Sequence, residues 1–330
     1  MKAVIPVAGI GSRLRPHTHT QPKSLIPVAG KPILAHIIDS LIEAGFKDFV
    51  FIIGYLGEKI QTYVEDNYKH INSIFIMQTV REGIGHAIWM AREHLEGEDQ
   101  LLIALGDTIF DVNMNGLMQI PYSTIGTKRV EDPRRFGVVE LGADNFITKL
   151  VEKPAIPVSN IAIVGIYKIN EVAALMESLQ YIVDHNIRTK NEFQLTDAMM
   201  RMIDNGYKFV NYNVENWFDC GKKDALLETN AILLKKAELV TKDLNFENTI
   251  IIQPVNIDKS CRIHNSIIGP NVSIGARTIV ENCVLRESII GSDAELRNAV
   301  LHDSLIGNEA SLRGLSQSLN LGDSTEINFE

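Results

Sequence analysis

Two kinds of apolar pattern alternate along the chain from its start to about residue 240. Short runs of consecutive apolar residues are typical of buried strands, and stretches with apolar residues every three or four positions are typical of amphipathic helices. The runs predict strands at 2–8, 49–53, 73–78, 101–105, 137–141, 147–151 and 161–169. The periodic stretches predict helices at 32–44, 58–68, 85–95, 171–183, 194–204 and 222–238. Because the early strands are apolar throughout and separated by helices, the pattern predicts a mainly parallel sheet covered on both faces.

The pattern changes after about residue 245, where short units begin to repeat. NSIIG at 265–269 is followed by ESIIG at 287–291 and DSLIG at 303–307, with branched aliphatic residues every five or six positions. Imperfect hexapeptide repeats of this kind predict a parallel β-helix, and roughly 18 residues per coil would give about four coils. A set of antiparallel hairpins is less favoured because hairpin turn pairs are scarce. We therefore predict two domains, 1–240 and 241–330.

Charge and cysteine content narrow the class of protein. The 330 residues include 32 Lys+Arg and 41 Asp+Glu, a formal net charge of −9, which argues against a nucleic-acid partner. A small anion needs only a local cluster of cations, so it stays possible as a ligand. Cys220, Cys261 and Cys283 form neither an even disulfide framework nor a CxxC pair, and no apolar run is long enough to span a bilayer. We expect a cytoplasmic protein with no membrane partner and no signal peptide.

A glycine-rich loop, Gly9-Ile10-Gly11-Ser12-Arg13, follows the first predicted strand. Glycines in such a loop let backbone N–H groups approach a phosphate closely. The dinucleotide fingerprint would need a third glycine where Leu14 stands, and no Walker A lysine follows. Arg13, Lys23 and Lys31 instead bring cations close to the loop, which suits a polyphosphate better than a nicotinamide.

Residues 6–34, PVAGIGSRLRPHTHTQPKSLIPVAGKPIL, resemble the signature of the sugar-1-phosphate nucleotidylyltransferases, the glucose-1-phosphate uridylyl- and thymidylyltransferase group. Further segments match in order: Gln78 with GIGHAI (83–88), LGD (105–107), FGVVEL (136–141), VEKP (151–154), SNIAIVGIY (159–167), EFQLTD (192–197) and WFDCG (217–221). The resemblance implies an α/β fold, with a Rossmann-like, mixed, mainly parallel sheet flanked by helices. The repeats then correspond to the short left-handed parallel β-helix of the long forms. The implied cofactor is Mg²⁺ and the implied product is pyrophosphate.

The resemblance also implies site residues. The catalytic set is Arg13, Lys23, Asp107, Lys153 and Asp219, in which Asp107 and Asp219 hold the metal. The nucleotide-binding set is Ala8, Gly9, Gly11, Ser12, Arg13, Lys23, Gln78 and Gly83. The sugar-binding set is Gly137, Glu152, Lys153, Asn160, Tyr167 and Glu192. A glutamine amide supplies the donor and acceptor that pyrimidine recognition needs. Tyr167, His86 and Trp89 are also explained by packing.

Several alternatives stay open. Thr108 and the VAGIGSR loop depart from the thymidylyltransferase pattern, whereas RLRPHT and the β-helix resemble it, so the nucleotide is UTP or dTTP, with UTP favoured. The sugar partner is glucose-1-phosphate or N-acetylglucosamine-1-phosphate. An inactive nucleotide-sugar-sensing subunit and a bifunctional acyltransferase that uses His264 and His302 are the competing functions. The repeats also predict a homo-oligomer.

Overall fold

The contacts of the chain form two compact units. The computed structural model describes residues 1–236, 246–317 and 319–328. One unit comprises Met1–Gly9 and Ile37–Trp217, and the other comprises Ile10–His36 and Phe218–Glu330. The signature segment from Ile10 onward thus belongs to the same unit as the C-terminal repeats. The domain boundary predicted at residue 240 lies outside the described residues and stays a prediction.

The helices follow the predicted periodicity to within two residues at most ends. They are α1 (Ile33–Glu43), α2 (Gly57–Asn67), α3 (Ile84–Met90), α4 (Arg92–Leu95), α5 (Met114–Met118), α6 (Val172–Asp184), α7 (Leu195–Asp204) and α8 (Lys223–Lys236). The helix predicted at 85–95 is interrupted at Ala91, which separates α3 from α4. None of the helices in the described part of the chain is long and apolar enough to cross a membrane.

The strands that precede α8 are β1 (Lys2–Val7), β2 (Pro27–Val28), β3 (Lys31–Pro32), β4 (Asp48–Ile53), β5 (Asn72–Met77), β6 (Leu101–Ala104), β7 (Thr108–Asp111), β8 (Ser123–Arg129), β9 (Gly137–Leu141), β10 (Ile147–Glu152), β11 (Ile161–Ile169), β12 (Phe209–Asn213) and β13 (Asn216–Asp219). The main sheet has the order β10-β9-β11-β6-β1-β4-β5, with β8 paired to β11 and β12 paired to β8. Its β6-β1-β4-β5 part is parallel, and β11 runs antiparallel to β6. This mixed sheet confirms the predicted α/β class.

The parallel strands place three predicted site residues at one sheet edge. Ala8 follows β1, Gln78 follows β5 and Asp107 comes shortly after β6. Because these strands are parallel, their carboxyl ends meet at one edge, where α/β proteins bind ligands. Val4 and Ile52, inside β1 and β4, are fully buried, so the strands that lead to this edge are packed in the core.

The C-terminal strands stack into the predicted left-handed parallel β-helix. They are β14 (Ile250–Ile251), β15 (Val255–Ile257), β16 (Arg262–His264), β17 (Ile267–Ile268), β18 (Val272–Ile274), β19 (Ile279–Glu281), β20 (Val284–Leu285), β21 (Ile289–Ile290), β22 (Glu295–Leu301), β23 (Leu305–Ile306), β24 (Ser311–Gln317), β25 (Asn320–Leu321) and β26 (Glu326–Asn328). The three faces begin with β14, β15 and β16, and β22 and β24 each run from the third face onto the first.

The coils are shorter than predicted, and they shorten further toward the C-terminal end of the β-helix. Ile250 pairs with Ile267 on the next coil, Ile289 pairs with Leu305, and Leu305 pairs with Asn320. The predicted coil length and the predicted number of coils were therefore wrong, and the described residues stack five strands on each face.

Asparagines form one corner of the β-helix because they tolerate left-handed backbone. Asn265, Asn282 and Asn298 have φ of 48°, 54° and 53°. This region is disfavoured for most side chains, and asparagine is the usual non-glycine exception. The Asn265 and Asn282 amides donate to the next asparagine at 3.2 and 3.0 Å. The corner is thus fixed by both backbone conformation and a side-chain ladder.

A column of glycines makes close coil stacking possible. A Cβ built on Gly275, Gly291 or Gly307 would lie 2.7, 2.6 or 2.5 Å from a backbone nitrogen of the next coil. Contacts that short require the backbone to move. Gly275, which ends VSIG at 272–275, and the glycines that end ESIIG and DSLIG are therefore packing residues.

We expect Gly291→Ala to destabilise the β-helix by about 1–3 kcal/mol, the usual cost of overpacking. Thermal unfolding followed by circular dichroism measures this change. Gly9→Ala is the control, because a Cβ at Gly9 meets nothing within 4 Å. An unfolding temperature for Gly291→Ala equal to that of the control would contradict the packing role.

Candidate active site

Asp107 is presented by a turn that only glycine allows. A Cβ on Gly106 would lie 2.1 Å from Cγ1 of Val7, so the residue that links β6 to Asp107 must lack a side chain. The Thr108 hydroxyl donates to the Asp107 carboxylate at 3.2 Å. The carboxylate follows the carboxyl end of β6, at the kind of sheet edge where α/β proteins bind ligands, a position suited to a substrate or a cation.

Gln78 is buried, and both of its amide hydrogens have acceptors inside the protein. Its Nε2 lies 3.3 Å from the Gly83 carbonyl oxygen and 3.1 Å from Nδ1 of His86. Gln78 is only 5% exposed. The amide oxygen is therefore the group that Gln78 can offer to a base, whereas the sequence suggested that it offers a donor and an acceptor.

Glu192, predicted for the sugar, lies against Gly83, predicted for the base. A Cβ on Gly83, whose φ is +104°, would lie 2.5 Å from the Phe193 carbonyl oxygen and 2.8 Å from the Glu192 Cβ. The Phe193 N–H donates to the Glu82 carbonyl at 2.7 Å. The structure thus brings together two segments that are far apart in sequence.

Arg188 holds together the two segments that contain Glu82 and Phe193. Its guanidinium contacts Glu82 at 2.6 Å and lies 4.0 Å from the centre of the Phe193 ring. The hydrogen bond from Arg188 lowers the pKa of the Glu82 carboxyl. Glu82 is thus a fixed negative charge beside His86, whose Nε2 is 3.5 Å from it. Sequence reasoning missed Arg188.

The predicted sugar residues Gly137, Glu152 and Lys153 lie together. Lys153 Nζ is 3.1 Å from Glu152 Oε1, and the Thr196 hydroxyl donates to Glu152 Oε2 at 3.4 Å. A Cβ on Gly137 would lie 3.0 Å from Glu152 Oε2. Lys153 has a φ of 42°, a left-handed conformation that is uncommon outside glycine and is enriched at functional sites.

Two further groups surround the Glu152 carboxylate. Burial, together with the negative charges of Glu152 and Asp107, raises the pKa of Tyr167. Burial also raises the pKa of Asp197, and the Glu152 charge acts in the same direction. Tyr167 is 5% exposed on β11, so it packs in the sheet while its hydroxyl lies within electrostatic range of both acids.

Asn160 occupies the start of β11. Its side-chain oxygen accepts a hydrogen bond from Arg129 at 2.6 Å, and its carbonyl accepts one from the Val130 N–H. These contacts explain Asn160 as a residue that fixes the end of a strand. Its predicted sugar-binding role stays a prediction.

The second unit holds four of the predicted nucleotide-binding residues, Gly11, Ser12, Arg13 and Lys23. Gly11 has a φ of 69°, and a Cβ there would lie 2.8 Å from the Cβ of Lys23, so the loop folds directly over this lysine. Lys23 is 8% exposed. The Thr18 hydroxyl donates to the Gly11 carbonyl at 3.0 Å. Ser12 and Arg13 lie in the short 3-10 helix that follows Gly11.

Arg13 and Asp219 converge on Gly221. A Cβ on Gly221 would lie 2.9 Å from the Arg13 Nη2 and 2.8 Å from the Asp219 Oδ1, so both atoms border the same point in space. Because Gly221 has no side chain, the Arg13 guanidinium and the Asp219 carboxylate can both lie next to it, although they come from distant parts of the chain.

The last coils of the β-helix hold the signature segment in place. Nε2 of His17 donates to Oδ1 of Asn320 at 2.7 Å, and the Asn308 amide donates to the Gln21 side chain at 3.0 Å. The Thr20 hydroxyl donates to Asp323. These contacts lie between Arg13 and Lys23 in the sequence, so the β-helix positions the loop that carries both cations. The sequence held no signal for this, because the partners come from opposite ends of the chain.

His17 makes the stability of this contact depend on pH. Burial lowers the pKa of His17, although the Asn320 hydrogen bond and the Asp323 charge oppose the shift. As pH falls below about 6.5, His17 binds a proton in the unfolded chain but stays neutral in the folded chain. The free energy of unfolding therefore decreases toward lower pH. We expect His17→Gln, which can still donate to Asn320, to show a smaller drop in unfolding temperature between pH 7.5 and 5.5.

The control for that measurement is His19→Gln, a substitution at an exposed neighbour in the same turn. It should keep the pH dependence of the unmodified protein. Equal pH dependence of the His17→Gln variant and the unmodified chain would show that His17 does not titrate as described.

A model of the nucleotidyl transferase family matches residues 2–236. The chain belongs to the nucleotidyl transferase family. This finding confirms the family predicted from the signature segment, and the matched range contains every predicted site residue from Ala8 to Asp219.

Three relatives show how far the likeness extends. The low-salt glycan biosynthesis nucleotidyltransferase Agl11 of Haloferax volcanii is 29% identical over 323 residues, 90% of this chain and 89% of that protein. A glucose-1-phosphate thymidylyltransferase of Streptomyces griseus is 32% identical over 314 residues, 88% and 87% of the two chains. The bifunctional protein GlmU of Methanococcus maripaludis is 36% identical over 257 residues, 76% of this chain but only 59% of GlmU.

Two solved structures are similar to this chain in fold. A UDP-glucose pyrophosphorylase complexed with UDP-glucose aligns with a TM-score of 0.62 and 22% identity, over 71% of this chain and 98% of that one. A putative glucose-1-phosphate thymidylyltransferase from Bacillus anthracis aligns with a TM-score of 0.60 and 26% identity, over 74% and 97%. The first of these likenesses shows the fold alone.

Proposed function

We propose that this nucleotidyl transferase transfers a nucleotidyl group from UTP or dTTP, with UTP preferred, to a sugar-1-phosphate, most simply glucose-1-phosphate. An oxygen of the sugar phosphate attacks the α-phosphorus, the bond from that phosphorus to the β-phosphate oxygen breaks, and pyrophosphate leaves. The observation that carries the proposal is the family match across 2–236 together with the buried Lys23 and the Arg13 guanidinium at the glycine loop.

Positioning and electrostatics account for the chemistry, because the attacking phosphate is already ionised. Arg13 binds the β- and γ-phosphates through its planar fork, and Lys23 stabilises charge that develops on the α-phosphate. Lys153 binds the sugar phosphate, while Glu152, held by Lys153 and Thr196, accepts hydrogen bonds from sugar hydroxyls. The remaining predicted site residues line these subsites.

The carboxylates Asp107 and Asp219 suit Mg²⁺. The described residues contain no group of three or more His, Cys, Asp or Glu side chains that could hold a metal alone. Mg²⁺ needs no such group, because it commonly uses one or two carboxylates and completes its shell with phosphate oxygens and water. When bound, the ion would neutralise charge on the triphosphate.

The test is an assay of pyrophosphate release with Mg²⁺ and glucose-1-phosphate or N-acetylglucosamine-1-phosphate, and with each of UTP, dTTP, GTP, ATP and CTP in turn. We expect release with UTP, dTTP or both. No release with any combination would contradict the proposed reaction and favour a sensing subunit. The presence of Arg13, Lys23, Asp107, Lys153 and Asp219 argues against such a loss of catalysis.

A second activity in the β-helix is the alternative raised by the likeness to a bifunctional protein. His264 ends β16 on the third face, whereas His302 follows the part of β22 on the first face. Two histidines on different faces do not form one catalytic centre. Acetyl-CoA consumption that is lost on replacing either histidine would support the acyltransferase alternative. The homo-oligomer also stays a prediction, which light scattering would test.

A further inference from the structure

The orientation of the Gln78 amide is set by a neighbour that can only accept. The Gly83 carbonyl oxygen, 3.3 Å from Nε2, has no proton to give, so the NH₂ end of the amide must face it. Nδ1 of His86 lies 3.1 Å from the same Nε2. A donor on both atoms would be repulsive. His86 must therefore present an unprotonated Nδ1 and carry its proton on Nε2.

The surroundings of His86 favour this neutral tautomer. Its ring packs against Trp89 and Phe193, with centroids 5.6 and 6.2 Å away, and its side chain is 12% exposed. Burial lowers the pKa of His86 and the Arg188 charge acts in the same direction, whereas Glu82 opposes them. The Glu82 carboxylate, 3.5 Å from Nε2, places a negative charge beside the proton on that atom. The hydrogen bond at Nδ1 and the carboxylate near Nε2 thus favour the same tautomer.

The result is a directed chain of polar contacts that ends at Gln78 Oε1. Gln78 donates through Nε2 to His86, and His86 faces Glu82, which Arg188 holds at 2.6 Å. The other Nε2 hydrogen is directed at Gly83. Within the described residues Oε1 is the terminal group of this chain, a pure acceptor. An acceptor at a ring-nitrogen position pairs with the N3–H of uracil or thymine and repels the unprotonated N3 of cytosine.

We propose that His86 is a specificity-determining positioning residue: by accepting from Gln78, it presents the amide oxygen to the base and so selects pyrimidines with a ring N–H over cytosine. The inference rests on the proposed function, because it assumes that Gln78 faces the base of a nucleoside triphosphate. From the sequence alone, His86 could serve either base recognition or helix packing, and the inference assigns it to base recognition.

Protonation of His86 should remove the selection. Nδ1 would become a donor directed at the Gln78 NH₂ group. The amide would then either lose its fixed orientation or turn, which would direct NH₂ at the base, where it suits cytosine. His86 lines a surface cavity of about 350 Å³ with Glu82, Trp89 and Arg92, so solvent protons reach the ring.

The experiment measures binding of UTP, CTP, dTTP and dCTP by calorimetry at pH 7.5 and 5.5. The variants are His86→Asn, whose side-chain oxygen can still accept from Gln78, and His86→Phe, which keeps the aromatic stack but has no acceptor. At pH 7.5 the unmodified protein and His86→Asn should prefer each ring N–H base over its cytosine counterpart. In His86→Phe this preference should fall ~10-fold, the scale of one misdirected buried hydrogen bond.

The pH profile separates positioning from packing. The preference of the unmodified protein should fall at pH 5.5, whereas that of His86→Asn should not change, because asparagine does not titrate. The inference would be overturned if His86→Phe kept the full preference for UTP and dTTP over CTP and dCTP. It would also be overturned if the unmodified protein showed no such preference at pH 7.5. The two proposals can fail separately. If the protein releases no pyrophosphate but its preference for uracil or thymine over cytosine still depends on His86, the proposed reaction is contradicted and the base-reading role is kept.

Discussion

Replacing Asp107 with asparagine should reduce pyrophosphate release roughly 100- to 1000-fold, the effect of removing one electrostatic group from a reacting centre. The carboxylate follows β6 at the proposed active-site edge of the sheet, and Gly106 fixes its position because no side chain fits beside Val7. Asparagine has nearly the same shape and can still accept from Thr108, so the loss would come from the charge.

The readout is the steady-state rate of pyrophosphate release at saturating Mg²⁺, with unfolding temperature measured in parallel. Asp99→Asn, at a position just before β6, is the matched control and should keep full activity. Activity of Asp107→Asn within a few-fold of that control would remove Asp107 from the proposed metal site. A large fall in unfolding temperature would indicate a structural role instead.

Replacing Asn230 with leucine should produce the largest loss of stability, about 3 kcal/mol or more, because it leaves several buried polar groups without partners. Asn230 is fully buried on α8. Its side-chain oxygen accepts from the Ala29 N–H at 2.9 Å and from the Ser273 hydroxyl at 2.7 Å. Its amide donates to the Asn271 carbonyl at 3.1 Å.

Those contacts tie the signature segment, α8 and the β-helix together, so the loss should appear as early unfolding of the whole second unit. Calorimetry, with limited proteolysis as a second probe, measures this effect. Glu228→Ala, exposed on the same helix, should change stability by less than about 0.5 kcal/mol. Asn230→Leu unfolding at the temperature of the Glu228→Ala control would contradict this role.

The sequence predicted the bounds of strands and helices most accurately where buried apolar residues follow one another in a regular pattern. The β1, β4 and β6 runs are apolar throughout, so their strands were found to within one residue. β8, Ser123–Arg129, was missed because it reads as polar. Its Thr124 and Thr127 are nevertheless buried, since their hydroxyls bond to nearby carbonyls. Hydropathy cannot detect a polar strand whose groups are satisfied by its neighbours.

The site was predicted residue by residue, but its supporting contacts were not. Arg13, Gln78 and Glu152 stand in recognisable motifs. His17 with Asn320, and Gly83 with Phe193, are pairs whose members lie far apart in the chain. A single sequence shows which residue types are present, whereas their pairing depends on how distant segments pack. The directionality of the Gln78 amide is likewise a property of its neighbours.

The central claim is that an oxygen of the sugar-1-phosphate attacks the α-phosphorus of the nucleotide. Radiolabelled UTP and dTTP test it most directly, with the label at the α- or the γ-phosphate, in the presence of Mg²⁺ and glucose-1-phosphate. The account predicts that the α-label moves into a nucleotide sugar, while the γ-label is recovered entirely as pyrophosphate. Transfer of the γ-label to the sugar, or its release as inorganic phosphate, would contradict the account.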